Sequence, residues 1–207
     1  MTDLAATHDV VTDGHDGGHG HVTTTGISNE KLAMWSFLGS ECLLFGGLIS
    51  TFLLYKNRSA GGETPHELYD LAFTSISSFV LLMSSLTMVL AVSAIARGDH
   101  RTCRTWLLTT AMLGAIFISG QVYEFREFLI KGYGFTHSPA WSALYGLTGF
   151  HGVHVTIGII MLLSTAMLSW RGHIPTERAE AVEIVGLYWH FVDVVWIIIF
   201  TVVYLIP

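Results

Sequence analysis

The sequence predicts an all-α integral membrane protein, a bundle of five transmembrane helices, on three observations. Of 207 residues, 51% are hydrophobic and only 13% charged, with mean hydropathy +0.54, against roughly 25% charged residues in a soluble domain. The apolar residues fall in unbroken runs of about 20 or more, each long enough to cross a ~30 Å hydrocarbon core as helix. Backbone groups in lipid must be paired within the segment, and the alternative, a closed β-barrel, would show weak alternating stretches of about ten residues instead.

Taken in order, residues 1–30 are rich in Gly, Thr and Asp and carry His8, His15, His19 and His21. Too little apolar surface is available there to offset the entropy of ordering, so a mobile polar His-rich tail is expected. A His-rich tract can bind metal, but no fixed scaffold holds this one, and no site is assigned to it. The tail lacks the basic n-region and apolar h-region of a secretory signal, so the N-terminus is expected to be retained.

The five runs follow at 32–55, 71–96, 106–129, 140–169 and 184–206, making 31–207 one five-helix membrane domain. The gaps hold turn formers: Arg58 to Pro65 with Gly61 and Gly62, Gly98 with Asp99, Lys131 to Pro139, and Gly172 to Thr176 with Pro175. No internal repeat is present, and five spans do not divide into inverted halves, which argues against a secondary transporter. Lys31, Arg97, Arg101, Arg104, Arg171 and Arg178 fall on the N-terminal side, and Lys56, Arg58, Arg126 and Lys131 on the other. That distribution predicts an N-terminus inside and a C-terminus outside. Trp35, Tyr55, Trp106, Tyr133, Trp170 and Tyr204, near span ends, suit interfacial belts.

Several function classes are excluded early. The net charge of -6 is concentrated where Asp3, Asp9, Asp13 and Asp16 meet no Lys or Arg before Lys31, which leaves no basic face for nucleic acid. Cys42 in an apolar run and Cys103 in a polar gap make no disulfide framework or C-x-x-C pair. No phosphate-binding Gly loop, His-Glu-x-x-His motif or Gly-x-Ser-x-Gly elbow occurs, so the chain carries no autonomous catalytic signature.

The informative residues are the ionisable ones inside the spans, each costing about 2.5–3.5 kcal/mol on insertion scales. Glu41, His151, His154, His190 and Asp193 fall within roughly 8 Å of their helix midpoints at 1.5 Å rise per residue, so they can share one depth. His151 and His154 are i, i+3, as are His190 and Asp193, so each pair projects from one helical face. Three readings stay open for this set: a metal or haem site, a proton relay across helices, and a hydrogen-bonded network that fixes helix register. In the third run Gln121 and Glu124, again i, i+3, read as a polar cap toward the outer end. Small residues that permit close helix approach are Ser36, Ser40, Gly47 and Ser50, then Ser77, Ser84 and Ala91, then Gly149 and Gly152. Trp189 and Trp196, one heptad apart, are expected to face lipid or a neighbouring subunit.

At these residues the sequence resembles subunit III of the haem–copper respiratory oxidases, cytochrome c oxidase type, in its short five-helix bacterial form. The resemblance covers residues 31–207 and rests on Tyr188-Trp189-His190-Phe191-Val192-Asp193-Val194-Val195-Trp196 in the last run and Thr148-Gly149-Phe150-His151-Gly152-Val153-His154-Val155 in the fourth. Ser40-Glu41 in the first run and Gly120-Gln121-Val122-Tyr123-Glu124-Phe125 in the third support it. The resemblance implies an accessory subunit of a proton-pumping aerobic terminal oxidase in the bacterial plasma (inner) membrane. Such a subunit supports assembly, lipid retention and proton uptake and is itself non-catalytic. It implies no cofactor or metal on this chain, haem and copper in partner subunits, and bound phospholipid. The implied partners are catalytic subunit I, subunit II and a small subunit IV.

By the same resemblance Glu41 is similar to the family's buried mid-membrane carboxylate, and His151, His154, His190 and Asp193 are similar to its inter-helix polar contacts. Longer members have two further N-terminal helices where this chain has its His-rich tail. The tail and the Cys42-Leu43-Leu44-Phe45 run are also similar to the quinol-oxidising relatives, so a quinol oxidase subunit III stands as the alternative. Two other classes, an autonomous membrane haem or metal protein and a proton channel, follow from the intramembrane histidines and from Glu41.

Overall fold

The computed structural model describes residues 28–56, 71–170 and 179–206. They form α1 (Asn29–Tyr55), α2 (Leu71–Ala96), α3 (His100–Ile130), α4 (Pro139–Trp170) and α5 (Ala179–Phe200), which ends in a π-helical turn over Thr201–Leu205. All five helices are long and apolar enough to cross a membrane. The fold is therefore the helical membrane bundle expected from the sequence.

Starts and stops follow local backbone chemistry more than hydropathy. Ser28 caps α1 by accepting from the Lys31 N–H at 3.3 Å, so the helix takes in the end of the predicted tail. The third helix begins at His100, six residues before the apolar run, because the Asp99 carboxylate accepts from the Thr102 N–H at 3.0 Å. Cys103, expected in a polar gap, is consequently buried inside a helix. The α2–α3 turn closes with the Asp99 N–H bonded to Ala94 O at 3.0 Å and the Gly98 N–H to Ile95 O at 2.9 Å. Glycine suits that turn because φ of residue 98 is +76°. Gly132, at φ +89°, ends α3 the same way, with Tyr133 N–H bonded to Phe128 O at 3.0 Å. Pro139 then opens α4 behind Ser138, whose hydroxyl accepts from the Trp141 N–H.

Four helices make a closed ring: α2 packs on α3, α3 on α4, α4 on α5, and α5 back on α2, while α1 lies outside against α4 and α5. On α5 the buried residues Val182, Val185, Trp189, Val192, Trp196, Ile199 and Val203 alternate steps of three and four, one continuous seam into the ring. On α1 only Leu38, Phe45 and Phe52 are buried, one residue every second turn.

Both tryptophans of α5 are inside that ring, not against lipid. Trp189 is 1% exposed and donates its indole N–H to Ser84 Oγ at 3.0 Å, and Trp196 donates to Ser78 Oγ at 2.9 Å. The Trp189 ring fits because residues 114 and 158 are glycine. A Cβ at 114 would lie 2.5 Å from its Cη2, and one at 158 would lie 2.9 Å from its Cε3. The close approaches are thus at Gly114 and Gly158. The α1 glycine expected to serve this purpose, Gly47, has nothing within 4 Å of its Cβ position. Tyr204, expected in an interfacial belt, is also turned inward and buried.

Candidate functional site

The residues singled out in the spans divide into separate groups. Glu41 on α1 meets His154 on α4, Oε2 to Nε2 at 3.1 Å, with both side chains largely buried. The other ring nitrogen, Nδ1, lies 2.8 Å from Phe150 O, and a carbonyl only accepts, so Nδ1 carries a hydrogen. The Nε2–Oε2 contact therefore holds one shared proton. The pair is neutral overall whether that proton sits on the imidazole or on the carboxyl. Tyr188 adds a third element, donating its hydroxyl to His154 O at 3.0 Å.

His190 and Asp193 form a second group, on α5 facing α2. Ser85 Oγ lies 2.6 Å from His190 Nδ1. Asp193 is buried, and its Oδ1 has no partner among the described residues. Ser85 was not singled out by sequence reasoning, since one hydroxyl among the many of the second run carries no distinguishing signal.

His151 is bonded to none of these. It is fully buried and stacks on Trp196 at 5.0 Å, with Phe117 and Phe45 edge-on at 6.1 and 6.4 Å. Neither of its ring nitrogens has a hydrogen-bond partner among the described residues. The i, i+3 spacing placed His151 and His154 on one face. That face is wide enough to send one side chain to Glu41 and the other into the aromatic interior.

Gln121 and Glu124 are turned into the bundle and buried, each 7% exposed. Glu124 accepts from Thr74 Oγ1 of α2 at 2.9 Å and from the Tyr204 hydroxyl of the terminal π turn at 3.3 Å, tying three elements together. The i→i+5 turn puts both Val203 and Tyr204 in the core, which an apolar run read at 3.6 residues per turn does not anticipate. Gln121 makes no such tie, and its Oε1 has no partner among the described residues.

The ends of α1 are clipped to the last helix. Lys31 pairs with Glu183 at 2.7 Å and Glu180 at 3.7 Å, and the Ser28 hydroxyl donates to Glu180. At the opposite end Lys56 donates to Ile206 O, and burial pushes its ammonium pKa below the ordinary lysine value. Arg58, Arg171 and Arg178, like the tail histidines, lie outside the described residues.

No group of three or more His, Cys, Asp or Glu gathers among the described residues as a metal site. The three span histidines go to different neighbours: an aromatic cage, a carboxylate and a serine. They do not fit the ligand set of a haem or metal centre shared between helices.

Fold and site together define a polytopic helical membrane protein whose buried polar side chains mostly tie helix to helix. The sequence model of the family described as Cytochrome c oxidase subunit III matches residues 1–206, and the chain belongs to that family. It is 38% identical over 177 residues to the Cytochrome c oxidase subunit 3 of Bacillus sp. (strain PS3), covering 86% of each chain. It is 42% identical over 175 residues to the Quinol oxidase subunit 3 of Bacillus subtilis (strain 168), covering 84% of this chain and 85% of the relative. Against the Cytochrome bo(3) ubiquinol oxidase subunit 3 of Pseudomonas aeruginosa the identity is 32% over 202 residues, 98% of this chain and 94% of the relative.

Proposed function

We propose that the chain is the accessory subunit III of an aerobic haem–copper terminal oxidase of the cytochrome c oxidase type. It sits in the bacterial plasma membrane with its N-terminus inside and its C-terminus outside. Oxygen reduction and the proton translocation coupled to it take place in subunit I, with subunit II and a small subunit IV alongside. Haem and copper are held by those partners, and phospholipid lines the outward apolar faces of this chain.

The observation that carries this reading is the use made of the buried polar groups. Glu41–His154, Ser85–His190 and Thr74–Glu124–Tyr204 each join two or more helices, and no described set converges on a common point as ligands would. What the chain supplies is a rigid membrane surface with one shared proton at Glu41–His154. That pair is the part of the predicted network we assign to proton support. His151, His190 and Asp193 set helix register.

The test is purification in mild detergent through a tag on this chain, followed by oxygen consumption with reduced cytochrome c and with quinol as donors. Haem absorbance and oxygen uptake co-purifying with the tag support the reading, and their absence overturns it. A second reading, subunit III of a quinol oxidase, is favoured by the 42% identity to a quinol oxidase subunit 3. Uptake with quinol and none with cytochrome c selects it.

A further inference from the structure

Between α2 and α5 runs a groove of about 500 Å³, lined by Lys31, Val89, Val92, Ser93, Glu183 and His190 among others. Its two ends differ in chemistry. At one end Lys31 pairs with Glu183 at 2.7 Å, their side chains 31% and 42% exposed, and Ser93 Oγ accepts from Arg97 Nη1 at 2.5 Å. At the other end stands His190, roughly 10 Å along α5 from Glu183 and roughly 4 Å from the midpoint of its span at 1.5 Å per residue. The lining residues run from Val89 to Ala96 on α2 and from Glu183 to His190 on α5, so the groove opens at one membrane face only.

The two ring nitrogens of His190 have different surroundings. Nδ1 is bonded to Ser85 Oγ at 2.6 Å and ties α5 to α2. Nε2 has no hydrogen-bond partner among the described residues. Both nitrogens of His151 are sealed in, whereas His190 Nε2 keeps accessible surface on a residue that lines the groove. If Ser85 donates to Nδ1, Nε2 carries a hydrogen with no acceptor; if Nδ1 donates to Ser85, Nε2 holds a lone pair with no donor.

That nitrogen restricts what fills the groove. An acyl chain fits the apolar walls and satisfies neither state of Nε2. Water satisfies both, and ionisable side chains within a span that are not paired inside the protein face water-filled cavities. The exposed Lys31–Glu183 pair stands where water enters, and the volume has room for several molecules at about 30 Å³ each.

We infer that the α2–α5 groove is an aqueous crevice, open at the face that carries Lys31 and Glu183, through which His190 exchanges protons at Nε2 with bulk water. Nδ1 still fixes helix register through Ser85. The crevice adds a second proton-exchanging group to the Glu41–His154 pair, and its geometry does not depend on which partners the chain has.

The experiment measures thiol reactivity in the full chain, purified with its partners and placed in lipid nanodiscs, where both faces meet water. Val89→Cys in the groove is compared with Ile160→Cys on α4, each in a background of Cys42→Ala and Cys103→Ala. The two positions are 50% and 58% exposed and both lie roughly 8 Å from the midpoints of their helices, so exposure and depth are matched. A charged methanethiosulfonate attacks only a thiolate, which forms in water and not in hydrocarbon, so Val89→Cys should react about ten-fold faster or more. His190→Leu should slow Val89→Cys to the rate at Ile160→Cys, and His190→Gln, which keeps a polar group in the groove, should not. If His190→Leu fails to accumulate, the comparison of the two cysteine positions decides alone. Equal rates at the two positions, or a rate at Val89→Cys unchanged by His190→Leu, overturns the inference. Whether haem co-purifies is read separately and decides only the accessory-subunit reading.

Discussion

Helices α1 and α5 lie side by side in the same direction, yet different forces hold them. In its most apolar stretch α1 is 17% buried and α5 50%. Between helices in lipid no hydrophobic driving force operates, so association depends on van der Waals packing and hydrogen bonds. The α5 seam supplies the first through interlocked tryptophans and valines. The three-residue seam of α1 supplies little, and directional bonds take over: Lys31 with Glu183 at one end, Glu41 with His154 in the middle, Lys56 with Ile206 at the other. Helix α1 is thus an added helix held by polar clips on the outside of a four-helix ring.

The largest expected effect breaks the ring. Gly114→Val drives a branched side chain into the Trp189 indole, and overpacking of this kind costs about 1–3 kcal/mol or more. Trp189→Ala leaves a large cavity instead and should cost about 3–5 kcal/mol. Both should lower the yield of folded chain and its midpoint in a detergent unfolding titration. Pairing Gly114→Ala with Trp189→Phe should recover part of the loss, and no recovery would mean the ring does not fill the glycine slot.

Next in size, Glu41→Ala should loosen α1 while leaving haem content and the ring intact, read as faster proteolysis of α1 in an otherwise stable complex. A double-mutant cycle of Glu41→Ala with His154→Ala should return a coupling of about 0.6–2 kcal/mol, the range for membrane hydrogen bonds. Additive effects would show that the two side chains do not interact. Lys31→Ala should cost at most about 1 kcal/mol, and high salt should erase the difference from the parent chain.

The smallest effect is at the α2–α3 turn. The Thr102 hydrogen bonds hold the Asp99 carboxyl below its ordinary pKa. The lowered folded value means that the contribution is complete above the unfolded carboxyl's pKa of about 3.9. It is lost as pH falls through the folded value. Asp99→Asn should flatten that part of an acid unfolding curve and change nothing at neutral pH.

Much of the fold was legible. Run lengths located the five helices, because crossing a bilayer needs a minimum apolar length, while ends shifted where a side-chain cap, at Ser28 or Asp99, decided them. The site was legible in its residues and less so in its pairings. Glu41 and His154 announce themselves as costly groups at similar depth, but nothing in the sequence says that His151 belongs among aromatic rings instead. Trp189 and Trp196 were misplaced because an indole suits lipid, an interface or a core equally. Only the distant glycines at 114 and 158 and the serines at 78 and 84 decide for the core. The ties of Glu124 were not legible because its partners come from a helix fifty residues earlier and from a π turn.

The most direct test of the central claim, that this chain supports an oxidase without carrying its redox centre, is an optical spectrum of the chain after it is stripped from the purified complex. The account expects the Soret absorbance to remain with the larger partner and the stripped chain to be colourless. A stripped chain that keeps a stoichiometric haem band would contradict it and return His151, His154 and His190 to consideration as ligands.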